Sequence, residues 1–281
     1  MDYFDLSEYR RLCLCGGAFR GIAELGALHY LNSIDSSWFG RLEMLGGSSV
    51  GAIIAYLLSL GYTPIEIFNY IYHQNFMDLF SLEAQTLLTE GHACTAHGLE
   101  EHLKKLTLRK LPHLPSLAEH FNLTGKHLKC IAYNLHSGHA ESFDYQTTPE
   151  LSCIRAIVMS SSLPFLLPSV PYDGGRYIDG GLIANYPLEF FDDSWTPVLG
   201  VCLQGHIIND EDEGKWSYLF QVLSIPVERL AALQIEKSSK VCRTIEISVP
   251  SHASLSGCGK KEQSRLFMLG YETARTQCTN S

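Results

Sequence analysis

Hydrophobic positions along this chain change period several times, and each change marks an element. Arg11 to Cys15 is a short, dense apolar run of the kind a buried strand carries. It leads into Gly16-Gly17-Ala18-Phe19-Arg20-Gly21 before helical spacing takes over from Ile22 to Leu31. The arrangement then repeats: Leu42 to Leu45 predicts a strand, Gly46 to Gly51 a tight turn, and Ala52 to Leu60 a helix that is apolar almost all round. Two strand, turn and helix units in succession point to a parallel sheet covered by helices.

Thr63-Pro64-Ile65-Glu66 has the spacing of a capping box with proline at the first helical position, which predicts a helix to about His73. A helical and loop region follows as far as Leu123, with helical spacing clearest at Leu99 to Leu108. The period falls to two at Leu128 to Tyr133 and again at Ala140 to Tyr145, a strand pair turned at His136-Ser137-Gly138-His139. Beyond these come a helix at Pro149 to Ser160, strands near Val170 and Tyr177, a strand at Val198 to Leu203, a helix at Lys215 to Ser239, a strand at Arg243 to Val249 and a helix at Lys260 to Ala274. No repeat or linker interrupts the series, so a single domain over 1–281 is expected: an α/β/α sandwich with a central, mainly parallel sheet.

Composition narrows the function classes. An apolar fraction of 46% with 18% charged residues supplies a large core and excludes a disordered chain. The net charge of −9, without any dense Lys/Arg run, argues against nucleic acid and against anionic membranes, but leaves open an approach to zwitterionic lipid through apolar loops. The nine cysteines are scattered, with no CxxC pair or metal-ligand spacing, and are expected to be reduced thiols in a reducing compartment. Met1 to Arg11 lacks the apolar core of a signal peptide, and the longest apolar stretch, Ala52 to Leu60, is too short to cross a bilayer, so a cytoplasmic location is expected.

Three segments carry chemistry. Gly47-Ser48-Ser49-Val50-Gly51 is a G-x-S-x-G nucleophile elbow between a predicted strand and a predicted helix, and only the register with Ser49 at its centre fits. Gly16 to Gly21 offers consecutive backbone N–H groups at a helix start, where a developing oxyanion could be held. The same physics would serve a phosphate, but the Walker Lys-Ser/Thr is missing, and Arg20 stands where a dinucleotide fingerprint needs glycine. Asp179-Gly180-Gly181, followed by Asn185-Tyr186-Pro187, places a carboxylate at a strand end, where it could act as base for Ser49; Asp173-Gly174-Gly175 is the competing turn. His206 and His252 follow Asp179 and keep a Ser-Asp-His triad open. No metal or cofactor motif is present, so neither a metal nor a cofactor is expected.

Taken in this order, the three segments resemble the patatin-like phospholipase family, whose pattern is a glycine-rich loop, a G-x-S-x-G elbow about thirty residues on, and an Asp-Gly-Gly with Asn-x-Pro. The likeness extends through Leu25-Gly26-Ala27-Leu28, through Leu117-Ala118-Glu119 to Lys126, and through Ser160-Ser161-Ser162-Leu163-Pro164-Phe165, and so spans nearly the whole chain. Ala18 stands where many members have a third glycine, and Cys15 where Ser or Asp is common. The resemblance implies a Ser49-Asp179 dyad that cleaves fatty-acyl esters, with an oxyanion hole drawn from Gly16, Gly17 and Ala18. Arg20, Gly21, Gly47, Val50, Gly51, Gly180 and Gly181 would support it. The implied substrate is a phospholipid or lysophospholipid met at a membrane surface. Neutral or soluble esters, and a non-catalytic lipid-binding role, remain alternatives.

Overall fold

The computed structural model describes residues 4–74, 81–82, 94–205, 215–249 and 259–279. Its centre is a sheet in which β1 (Arg11–Leu14) lies between β2 (Met44–Ser48) and β9 (Val198–Gln204). On the far side of β9 is β10 (Cys242–Ser248); beside β2 is β5 (His127–Asn134), and all five of these strands run parallel. The remaining strands, β6 (His139–Phe143), β7 (Val170–Tyr172) and β8 (Gly175–Asp179), are antiparallel to their partners, so the sheet is mixed. A separate two-residue ribbon pairs β3 (Ser81–Leu82) with β4 (Cys94–Thr95).

Helices lie on both sides of the sheet. α1 (Gly21–Ile34) and α3 (Val50–Ser59) follow β1 and β2, with the short α2 (Trp38–Arg41) between them. α3 buries eight of its ten residues, which is why its sequence carries no polar stripe. It stops at a Schellman turn, in which the Tyr62 N–H reaches the Leu57 carbonyl and the Gly61 N–H the Leu58 carbonyl, with Gly61 left-handed at φ 83°. Helix α4 (Pro64–His73) opens on the Thr63/Glu66 capping box expected from the sequence. Further on are α5 (His97–Leu108), α6 (Leu117–Thr124), α7 (Cys153–Ser161), α8 (Lys215–Lys237) and α9 (Lys260–Thr279).

Helix α7 begins later than the expected Pro149, because the chain before it is held in a turn by the Leu151 N–H to Thr148 carbonyl bond and by a bridge between Ser116 and Ser152. The last helix, α9, packs along α1 at unusually close range. A Cβ on Gly26 would overlap the Phe267 carbonyl oxygen, and one on Gly270 the Ala23 carbonyl oxygen.

Strand order decides where the chemistry collects. Along one edge, β5 pairs with β6 from Cys130 to Asn134. Its other edge is taken by β2, which ends at Ser48 opposite Ile131, and then by β8, whose Asp179 lies opposite Ala132. β8 therefore continues the row that β2 abandons. The end of one strand and the end of the other, arriving from opposite directions, meet alongside β5, at the carboxyl end of β2. The core around the sheet includes the fully buried Leu12, Leu14, Leu25, Leu28 and Ile54.

Candidate active site

Ser49 occupies the junction of β2 and α3 with φ 54° and ψ −126°, a backbone region sparsely used by residues with a side chain. Surrounding contacts force this geometry. The Ser49 N–H is shared by the Ser160 carbonyl at 3.1 Å and the Ser160 Oγ at 3.0 Å, and that hydroxyl in turn donates to the Ile131 carbonyl at 2.6 Å. Flanking positions tolerate no side chain: a Cβ on Gly47 would overlap the Leu14 carbonyl oxygen, and one on Gly51 would lie 2.5 Å from that of Cys15. Ser48 points away, buried, and donates to the Ala184 carbonyl at 2.6 Å.

The Ser49 hydroxyl donates to Asp179 Oδ2 at 2.7 Å. Its partner is a carboxylate, not an imidazole. Asp179 is 3% exposed, and its other oxygen accepts the Gly181 N–H at 2.7 Å. Its own N–H is held by the Ser162 carbonyl at 2.9 Å, so the end of α7 grips both the serine and the aspartate. Burial raises the Asp179 carboxyl from 3.8 to about 6, against the lowering effect of its bonds from Ser49 and Gly181. Asp173, the competing candidate, lies in the β7–β8 hairpin turn, with left-handed φ at both Asp173 and Gly174. His206 and His252 lie outside the described residues.

The glycine loop arches over the same point. Gly16 donates its N–H to the Asn185 carbonyl at 2.8 Å, so that group is already committed and offers nothing to a ligand. No described residue accepts from the N–H of Gly17 or of Ala18, and Ala18 sits at φ 48°. Gly21 packs on Val50, joining the loop's end to the first turn of α3; a Cβ there would be 2.8 Å from the valine methyl groups. Arg20 is buried, and its Nη1 donates to the Gly205 carbonyl at 2.8 Å, which ties the loop to the end of β9 and gives the guanidinium a structural task. Gly180 lies against the Ile131 carbonyl and the Ser48 hydroxyl, where a side chain would not fit. Among the described residues, no three His, Cys, Asp or Glu side chains gather as a metal site.

A model of the patatin-like phospholipases matches residues 12–192. The chain belongs to this family. Among its relatives is a probable lipid hydrolase of invertebrate iridescent virus 6, 32% identical over 185 residues that make up 64% of this chain and 62% of the viral protein. An uncharacterised protein of Acanthamoeba polyphaga mimivirus is 27% identical over 96% of this chain and 94% of its own length. Solved structures that share the fold include VipD of Legionella pneumophila, with a TM-score of 0.61 at 17% identity, covering 97% of this chain and 67% of that one. The type III effector ExoU of Pseudomonas aeruginosa has a TM-score of 0.55 at 14% identity, and this chain spans about half of its length, 53%.

Several residues around this point have supporting roles not assigned from the sequence. Ser160 and Ser162 brace the elbow and the aspartate through backbone and hydroxyl groups, and Asn185 fastens Gly16. The first two lie in the Ser160-Ser161-Ser162 run that the family likeness includes; a run of serines ending a helix of apolar residues is the available signal. Glu24 is wholly buried in α1 next to the loop. Its signal is a lone acidic residue within Gly21-Ile22-Ala23-Glu24-Leu25, where every neighbour is buried.

Proposed function

We propose that the chain acts as a single acyl hydrolase unit that cleaves fatty-acyl esters of phospholipids or lysophospholipids through Ser49 and Asp179. The reading rests on the 2.7 Å hydrogen bond between a serine in strained elbow geometry and a buried carboxylate. Ser49 Oγ attacks the ester carbonyl while its proton passes to Asp179, and the oxyanion is held by the N–H groups of Gly17 and Ala18, with Val50 at the start of α3. Gly16 serves as anchor for the loop. Collapse of the tetrahedral species takes the proton back to the departing alcohol; water, deprotonated by Asp179, then releases the fatty acid.

An aspartate in water is too weak a base for this exchange, and its raised value near 6 brings it toward neutral working conditions while leaving it mostly ionised at pH 7. Membership in a family of phospholipases and likeness to a viral protein named as a probable lipid hydrolase support the choice of substrate. So do two exposed apolar residues on the segments that flank Asp179, Phe165 and Ile183, which suit contact with a lipid surface. Among the described residues, no helix is long and apolar enough to cross a membrane.

The deciding experiment measures release of labelled fatty acid from a panel of phospholipids, lysophospholipids and triacylglycerols by the full chain and by Ser49→Ala. Expected is release from the first two classes by the wild type only. Equal release by both proteins would remove the serine mechanism, and release from triacylglycerol alone would replace the substrate class.

A further inference from the structure

The glycine loop begins where β1 leaves the sheet, and one buried side chain is fixed there that the hydrolytic steps do not use. Glu24 is 0% exposed, and its Oε1 accepts the Cys15 N–H at 3.0 Å. That N–H also points at the Val201 carbonyl of β9, but at the longer distance of 3.3 Å. The Glu24 oxygen thus competes with the last rung of the β1–β9 ladder for the peptide immediately before Gly16. The carbonyl of the same Cys15 residue abuts Gly51 in the first turn of α3, so Cys15 touches both the loop and the elbow.

Glu24 is a costly occupant of this place. Its second oxygen, Oε2, has no hydrogen-bond partner among the described residues, and neither has the buried Nε of Arg20 four positions earlier on the same helical side. Burial, with Cys15 next in effect, raises the carboxyl well above the usual carboxylate range. A methionine or leucine would fill a core position here without the desolvation penalty of a half-satisfied polar group. What an apolar residue cannot do is accept the Cys15 N–H.

We propose that Glu24 is a positioning residue for the oxyanion hole, holding the Cys15 peptide so that the N–H groups of Gly17 and Ala18 converge on the carbonyl attacked by Ser49. This rests on the dyad reading above. Three ties then fix the loop: Glu24 at its origin, the Asn185 carbonyl at Gly16, and the Arg20 bond to Gly205 at its end. The first and the third come from buried side chains, and of these only Glu24 acts on the peptide that precedes Gly16.

The test compares Glu24→Gln, which keeps an acceptor of the same length, with Glu24→Met, which keeps the volume and removes the acceptor. Each variant is assayed for kcat and KM on a soluble thioester, for the rate at which a fluorophosphonate labels Ser49, and for melting temperature. Glu24→Gln is expected within about threefold of wild type. Glu24→Met should lose about 10- to 100-fold in both kcat and labelling rate with KM nearly unchanged, since loss of one oxyanion donor is typically worth about 10²–10³-fold and here the donors are displaced, not deleted.

A folded Glu24→Met with wild-type kcat would overturn the proposal. So would equal losses in Gln and Met, which would assign the effect to the carboxyl's charge or packing and not to its acceptor. Should Glu24→Met not fold, Glu24→Asp, whose carboxyl is one methylene short of Cys15, decides by the same criteria. Ser49→Ala, run alongside, separates the two claims: activity that survives it sinks the dyad whatever Glu24 does, whereas labelling at one rate in every Glu24 variant sinks only the positioning role.

Discussion

Replacing Asp179 by Asn should make the protein more stable while removing its activity, and the gain should depend on pH in a way fixed by the site. Asn keeps the shape and can still accept the Gly181 N–H, so the main change is loss of a buried charge. The carboxyl titrates near 6 in the folded protein against 3.8 in the unfolded chain, so between those values the folded state holds a proton that the unfolded state has lost. Stability contributed by the neutral acid is therefore complete below pH 3.8 and is lost as pH rises through about 6. At about 1.36 kcal/mol per tenfold change in acidity, the rise from 3.8 to about 6 corresponds to about 3 kcal/mol. The stability difference between Asp179→Asn and wild type should accordingly grow by about 3 kcal/mol from acid to slightly alkaline pH and then level off. Urea unfolding of both proteins at a series of pH values measures it, and all groups common to the two cancel. A difference that is flat across the series, or that grows toward acid, would refute the claim that burial holds this carboxyl near 6.

Three further outcomes are expected. The kcat/KM on a soluble ester should rise with pH through about 6 along a single limb as Asp179 ionises, and Asp179→Asn should fall by about 10²–10⁴-fold across the range; a rise governed by a histidine, abolished by His206→Ala or His252→Ala in a folded protein, would restore the triad. Ser48→Ala should keep fluorophosphonate labelling but lose about 1–3 kcal/mol of stability, because the buried Ala184 carbonyl is left without its donor; loss of labelling there with retention in Ser49→Ala would mean that the register is wrong. Gly26→Ala should lower the melting temperature by several degrees by forcing α1 off the Phe267 carbonyl of α9, and an unchanged melting temperature would contradict the close crossing.

Much of this architecture was legible because local patterns and global positions agree. The dense run at Arg11 to Cys15 and the apolar helix after the elbow follow from burial on both faces, and the Thr63/Glu66 box from backbone capping alone. Ser49 and Asp179, chosen from motifs 130 residues apart, lie in hydrogen-bond contact. What could not be read was tertiary in origin. The sequence predicts a strand near Tyr177 but does not say that β8 runs antiparallel, nor that it takes over the edge of β5 where β2 ends. The commitment of Gly16 to Asn185 joins residues far apart in sequence, and no pattern in either segment announces it. Glu24 was hidden for the opposite reason, since a single polar residue in an apolar helix reads as an exception to the pattern, although it touches the loop.

The order of strands also constrains when an active molecule can exist. β1 has β9 as one neighbour, and Cys15, Arg20 and the loop between them are tied to Val201, Leu203 and Gly205, all beyond the segment that the family model matches. A chain growing from its amino terminus therefore presents the serine early, the aspartate much later, and the support of the glycine loop later still. Until residues past 200 have folded back beside the first strand, the glycine loop lacks its ties to Val201, Leu203 and Gly205. On the proposed reading, synthesis is its own safety catch: an incomplete copy carries the serine without the fixed loop that would hold the oxyanion.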